Sequence, residues 1–142
     1  GGSAPLSASE QFRYGFHQED VPRELVHADL GRGYPVRQGD SPAWGSSTIP
    51  GCATSMLERG CIAREAATID VPVFIGAGER DVCPDPHAEP GAYRSARDVT
   101  LYVQPRAAHM HNFAGTRELL WDRLAVWALG VGAERYSRSS RI

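Results

Sequence analysis

The chain has 142 residues, 42% of them hydrophobic and 23% charged, which suffices for one domain with a hydrophobic core. Its net charge is −2, with 15 basic residues, all arginine, against 17 acidic ones, and this excludes a basic footprint for nucleic acid or an anionic membrane. Because no apolar run is long enough to cross a bilayer, no membrane span is predicted.

The amino terminus and the cysteines indicate a reducing compartment. Residues 1–10 are small and polar, lack the basic and apolar regions of a signal peptide, and are interpreted as a linker or a cut end. The cysteines at 52, 61 and 83 are odd in number and have no metal-binding spacing, which predicts reduced thiols in a cytoplasmic protein. A Cys52–Cys61 disulfide is the alternative. Neither a metal nor an organic cofactor is expected.

Residues 11–68 are irregular in sequence. Up to about residue 50, Gly and Pro recur and apolar periodicity is weak. Within this segment one short helix is predicted, over residues 21–30. The S-x-x-E spacing of Ser55 and Glu58 predicts another helix to about Ala67, which Gly60 weakens. Few clear elements over such a length are typical of a lid or a binding segment.

Two apolar segments rich in β-branched residues predict the sheet. Residues 69–77 predict a strand buried on both faces, with Pro72 near its beginning, and residues 99–103 predict a second buried strand. Such strands are typical of a parallel sheet, in which each strand has neighbours on both edges. Two strands leave apolar edges open, so another chain or a longer polypeptide is expected to complete the sheet.

Helical patterns follow each strand. Asp85 and Pro86 predict the cap and start of a short helix that ends by about residue 96 and is irregular at Pro90. Residues 115–129 predict an amphipathic helix whose apolar side chains, including Trp121 and Trp127, form the core face. Residues 131–142 are polar and are predicted to be a mobile tail. The order of strand, helix, strand and helix predicts an α/β fold with right-handed crossovers.

Two side chains able to do chemistry follow the two predicted strands. Asp81 comes after the first and His109 after the second. Because ligands bind beyond the carboxyl ends of parallel strands, both side chains are expected on one rim of the sheet. A carboxylate there can hold an imidazole in one tautomer and stabilise its protonated form, as in a nucleophile–histidine–acid triad.

The segments GERDVCPDP and VTLYVQPRAAHMHNF, in this order and before a final helix, resemble the C-terminal portion of an α/β-hydrolase. The resemblance implies that residues 69–130 are part of the hydrolase core, with Asp81 as the acid and His109 as the base, and that residues 11–68 are a cap. It also implies hydrolysis of a small ester-like substrate. The nucleophile motif G-x-S-x-G and the family's oxyanion loop are absent from the sequence.

Other residues of the sequence offer alternative assignments for this site. Asp85 is the rival acid, although a helix cap explains it better, and His111 is a pocket or second-layer residue that could replace His109. Trp44 and Phe16 are candidates for lining the pocket, and Cys52 is a poor candidate nucleophile because no strand precedes it. His17, His27 and His87 are expected at the surface or in the cap, and Cys83 as a small buried filler.

The chain is therefore interpreted as a hydrolase portion that contributes the acid and the histidine and is inactive alone. An N-terminal half chain, or a homodimer formed through open sheet edges, is the expected partner besides a small-molecule substrate. The alternative is a non-catalytic module on the same truncated scaffold, which binds a small ligand or pairs with a partner.

Overall fold

A computed structural model describes residues 8–30, 58 and 60–139 of the chain. These residues form four α-helices, two β-strands and two 3₁₀ helices. In chain order they are α1 (Ala8–Phe16), α2 (Arg23–Leu30), α3 (Ala63–Ala66), β1 (Val73–Arg80), a 3₁₀ helix (Pro86–Ala92), β2 (Val99–Ala108), a 3₁₀ turn (His111–Phe113) and α4 (Arg117–Ser139).

The two strands pair in parallel, which confirms the α/β class. The register aligns Val73 with Val99 and continues to Gly78 opposite Gln104. Strand β1 begins directly after Pro72, whose missing N–H cannot join a strand ladder, so the predicted start at residue 69 is wrong. Within the described residues the sheet has only these two strands.

Strand β2 is five residues longer than predicted and becomes irregular near its end. Gly78 pairs with Gln104 but Arg80 pairs with Ala108, so the register shifts between Gly78 and Arg80. Extra residues of β2 therefore lie opposite Glu79. Arg106 takes a positive φ of 51°, and its backbone N–H donates to the Glu79 carboxylate at 2.7 Å. This bulge folds the β2 backbone over Gly78 and sets where the chain leaves the sheet.

Helix α4 covers part of the sheet. The Trp127 ring lies 5.5 Å from the Phe74 ring, and Leu120 packs over Gly76, as the predicted core face requires. Trp121 is 47% exposed, so its prediction as a core residue is wrong. Its indole N–H instead donates to the side-chain oxygen of Asn112. The helix continues to Ser139, through much of the segment predicted as a tail.

The core of the described residues is small. The buried apolar residues are mostly alanines, namely Val21, Val26, Ala66, Ala77, Ala107, Ala108 and Ala114. The larger side chains of both strands are only partly buried, in contrast to the prediction of strands covered on both faces. Among the described residues each strand has one neighbouring strand, so the other edge of each has no described strand beside it.

The remaining helices differ in how well the sequence predicts them. Helix α2 is confirmed, whereas α1 lies in sequence predicted to be unstructured or irregular. Helix α3 is short because Gly60 takes a φ of 81°, outside the helical range. Ser55 lies outside the described residues. No helix in the described part of the chain is both long and apolar enough to cross a membrane.

Candidate functional site

Asp81 is the first residue after β1, and the backbone around it holds its carboxylate. The N–H of Gly78 donates to Oδ2 at 2.8 Å, and the N–H of Val82 donates to Oδ1 at 2.7 Å. The side chain is only 6% exposed. A carboxylate that accepts two backbone hydrogen bonds at the end of a strand is fixed in position before any ligand arrives.

His109 is the first residue after β2 and faces Asp81. Its Nδ1 lies 2.8 Å from Oδ1 of Asp81. Because an ionised carboxylate only accepts, Nδ1 carries the hydrogen and Nε2 keeps its lone pair when the ring is neutral. The side chain is 42% exposed, and no hydrogen bond between described residues uses Nε2. The imidazole is therefore oriented on one side and open on the other.

A second histidine approaches the same carboxylate. Nε2 of His111 lies 3.3 Å from Oδ2 of Asp81. This nitrogen is buried, and the contact falls short of full hydrogen-bond geometry, so it is a close polar contact between the ring and the carboxylate. The rings of His109 and His111 are 6.4 Å apart and flank Asp81.

The surroundings of Asp81 favour its ionised form. Burial raises the pKa of this carboxyl group, but His111, the Gly78 amide, His109 and the Val82 amide together lower it further. The net result is a pKa well below the ordinary value of 3.8. Asp81 is thus a carboxylate at neutral pH and can balance a positive charge on an adjacent imidazole.

The end of α1 packs against His109. The Phe16 ring meets the His109 ring edge-on with centroids 5.0 Å apart. Backbone hydrogen bonds run from the His109 N–H to the Gly15 carbonyl and from the Met110 N–H to the Phe16 carbonyl, both at 3.0 Å. Phe16, predicted as a pocket residue, therefore contacts the candidate histidine directly.

Arg80, the last residue of β1, ties the same segment to the sheet. Its guanidinium stacks on the Tyr14 ring at 3.8 Å and donates to the Glu19 carboxylate and the His17 carbonyl. A second ion pair joins Arg106 to Asp20. Sequence reasoning missed these contacts, although the S-x-x-E spacing of Ser7 and Glu10 was a signal for α1.

His17 was expected at the surface or in the cap, and it is 3% exposed. Its Nε2 lies 2.8 Å from the Asp29 carboxylate, so it ties the loop after α1 to α2. This partner of Nε2 is 12 residues away on the next helix, whereas the buried Nδ1 has no hydrogen-bond partner among the described residues. His27 and His87 are exposed, as predicted.

The rival acid Asp85 and the thiol of Cys83 lie in the segment that follows β1. Asp85 occupies the N-cap position of the first 3₁₀ helix, but its side chain makes no capping hydrogen bond. Cys83 is half-buried, and burial raises the pKa of its thiol, with the Glu89 carboxylate adding to the shift. A thiol with a raised pKa is a poor nucleophile. Trp44, Cys52 and the segments WGSST and GCATSM lie outside the described residues.

The described residues contain no group of three or more His, Cys, Asp or Glu side chains that could hold a metal ion. Comparison with family models, with curated proteins and with solved structures finds no match to this chain.

Proposed function

We propose that the chain is the C-terminal portion of an α/β-hydrolase, in which Asp81 and His109 serve as acid and base of a triad. The observation that carries this proposal is the 2.8 Å contact between Oδ1 of Asp81 and Nδ1 of His109. The two side chains follow adjacent parallel strands and meet at one rim of the sheet. Triads of this kind are recognised by such geometry and roles rather than by sequence position.

In the proposed reaction, Nε2 of His109 takes the proton from a nucleophilic hydroxyl while the oxygen attacks the ester carbonyl. The resulting imidazolium is balanced by Asp81 and returns the proton to the leaving alcohol as the bond between carbonyl carbon and alkoxy oxygen breaks. Water then repeats the sequence and releases the carboxylic acid. The exposure of His109 supports this role, because a second reactant can reach Nε2.

We propose further that the nucleophile and additional strands come from an N-terminal half, on the same polypeptide or on another. The partly buried strand side chains support this, as does the pairing of β1 and β2 with no other strand among the described residues. The sequence offers no G-x-S-x-G elbow of its own. Residues 11–68 would then belong to a cap over the site, and contact between Phe16 and His109 is consistent with that place.

The test starts from the natural gene. The genomic DNA upstream of the codon for Ala4, near the start of the sequence, is determined. The longest reading frame that includes this chain is then expressed and assayed with p-nitrophenyl acetate and a fluorophosphonate label. We expect a frame that encodes a strand followed by a nucleophile elbow. Asp81→Asn and His109→Ala should each lower kcat by about a hundredfold or more. Asp98→Asn and His87→Ala, which alter exposed residues away from the site, should leave kcat unchanged.

A start codon without an upstream frame, together with no label in the presence of any neighbouring gene product, would reject the hydrolase proposal. Binding of a small molecule by a stable, unlabelled monomer would instead favour the non-catalytic module.

A further inference from the structure

We infer that His111 is a positioning residue that shares the carboxylate of Asp81 with His109, holding Oδ2 so that Oδ1 stays directed at the base. This inference rests on the proposed function of Asp81 and His109. It assigns a specific proton to the neutral form of His111, and this proton is measurable in the chain itself.

The geometry surrounds the Asp81 carboxylate with four N–H groups. Oδ1 faces the Val82 amide at 2.7 Å and Nδ1 of His109 at 2.8 Å. Oδ2 faces the Gly78 amide at 2.8 Å and Nε2 of His111 at 3.3 Å. Each oxygen therefore has one backbone donor and one imidazole, which matches the acceptor capacity of a carboxylate. Removing His111 would leave Oδ2 with a single partner.

The proton of a neutral His111 belongs on Nε2. This nitrogen is buried and has no aligned partner among the described residues, and the oxygen it approaches is negatively charged. A lone pair on Nε2 would repel that oxygen, whereas an N–H is attracted to it. His111 is therefore an Nε2–H tautomer and His109 an Nδ1–H tautomer.

One carboxylate can balance one imidazolium. The rings of His109 and His111 are 6.4 Å apart, so a positive charge on one disfavours a charge on the other.

Loss of His111 raises the basicity of His109. Without the Nε2–H donor the Asp81 carboxylate is less neutralised, and without the second ring no like charge opposes protonation. We expect the titration of the His109 ring to move to higher pH in His111→Phe than in the wild type. His111→Gln keeps an N–H₂ donor near Oδ2 without a titratable ring, and we expect a smaller rise.

The experiment is a pH titration of histidine ring nitrogens by long-range ¹H–¹⁵N NMR on the ¹⁵N-labelled chain. His111→Phe, His111→Gln and the control His87→Ala are compared with the wild type, and His111 is expected as Nε2–H in its neutral form. An Nδ1–H tautomer of His111, or an unchanged His109 pKa in a folded His111→Phe, overturns the inference. The tautomer of His111 is measured on the wild-type chain, so it tests the inference even if His111→Phe does not fold.

Asp81→Asn separates the two proposals. A lower His109 pKa in Asp81→Asn together with no effect of His111→Phe means that only the role of His111 fails. No effect of Asp81→Asn on His109 means that the proposed pairing of acid and base fails, and the role of His111 with it.

Discussion

Among the single residues of the site, Asp81 is the one whose side chain is most firmly held by its neighbours. Two backbone amides and two imidazoles face its oxygens, and the side chain is 6% exposed. Its pKa is lower in the folded chain than the value of 3.8 expected when it is unfolded. Such a group stabilises the fold above the unfolded pKa, and that stabilisation is lost as the pH falls below it toward the folded pKa.

Asp81→Asn should therefore lower the free energy of unfolding by about 2 kcal/mol at neutral pH, since it weakens hydrogen bonds to a charged acceptor. Urea unfolding at a series of pH values checks this. The difference between variant and wild type should shrink as the pH falls below 3.8. Asp98→Asn, at an exposed carboxylate near the opposite end of β2, provides the control. A difference that stays constant into acid would contradict the assigned ionisation of Asp81.

At the scale of elements, the bulge of β2 decides where His109 lies. A Cβ on Gly78 would meet the carbonyl oxygens of Ala107 and Ala108 at 2.7 and 2.8 Å, too close for any side chain. Gly78 also donates the hydrogen bond to Oδ2 of Asp81. The same glycine thus lets β2 fold over β1 and fixes the acid beside the histidine.

Gly78→Ala should destabilise the chain by about 2–3 kcal/mol, because the β2 backbone must shift to admit a methyl group. It should also disturb the Asp81–His109 contact, which a changed His109 ring shift in NMR would report. Gly132→Ala is the matched control in α4, where an added Cβ meets nothing within 4 Å. That variant should stabilise by about 0.5–1 kcal/mol, as expected for a helix interior. Equal effects of the two changes in urea unfolding would contradict the close packing at Gly78.

The sequence predicts some of these elements better than others. The placement of Asp81 and His109 beyond the two strands could be predicted from the chain order, because each lies a few residues after an apolar, β-branched segment. The extra length of β2 could not, since Pro105 and Arg106 argue against a strand and are accommodated only through the bulge over Gly78. The contact of α1 with His109 spans more than 90 residues and leaves no local pattern, and the identity of the nucleophile has no signal in this chain.

At the scale of the whole molecule, the described residues bury few large side chains. Each strand pairs with only one other strand among the described residues, and on the outer side of α4 Val126 and Leu129 are 69% and 75% exposed. Uncovered edges of parallel strands present unpaired backbone groups that can pair with another chain. We therefore expect the chain to associate with itself when no N-terminal half is present.

Sedimentation velocity over a range of concentrations checks this expectation. The sedimentation coefficient should rise with concentration, because uncovered edges pair between copies. The double variant Val126→Glu and Leu129→Glu should behave like the wild type, since it changes the helix face and leaves the strand edges intact. A monomer at all concentrations would contradict open edges, and a monomer only in the double variant would place the contact on α4.

The pairing of Asp81 with His109 as acid and base is tested by the tautomer of His109 in the wild-type chain. Long-range ¹H–¹⁵N NMR measures this tautomer at a pH at which the ring is neutral. The 2.8 Å contact with Asp81 predicts a proton on Nδ1 and a lone pair on the open Nε2, as a base requires. A proton on Nε2 would mean that Asp81 does not orient this ring, and it would contradict the assignment of Asp81 and His109 as acid and base.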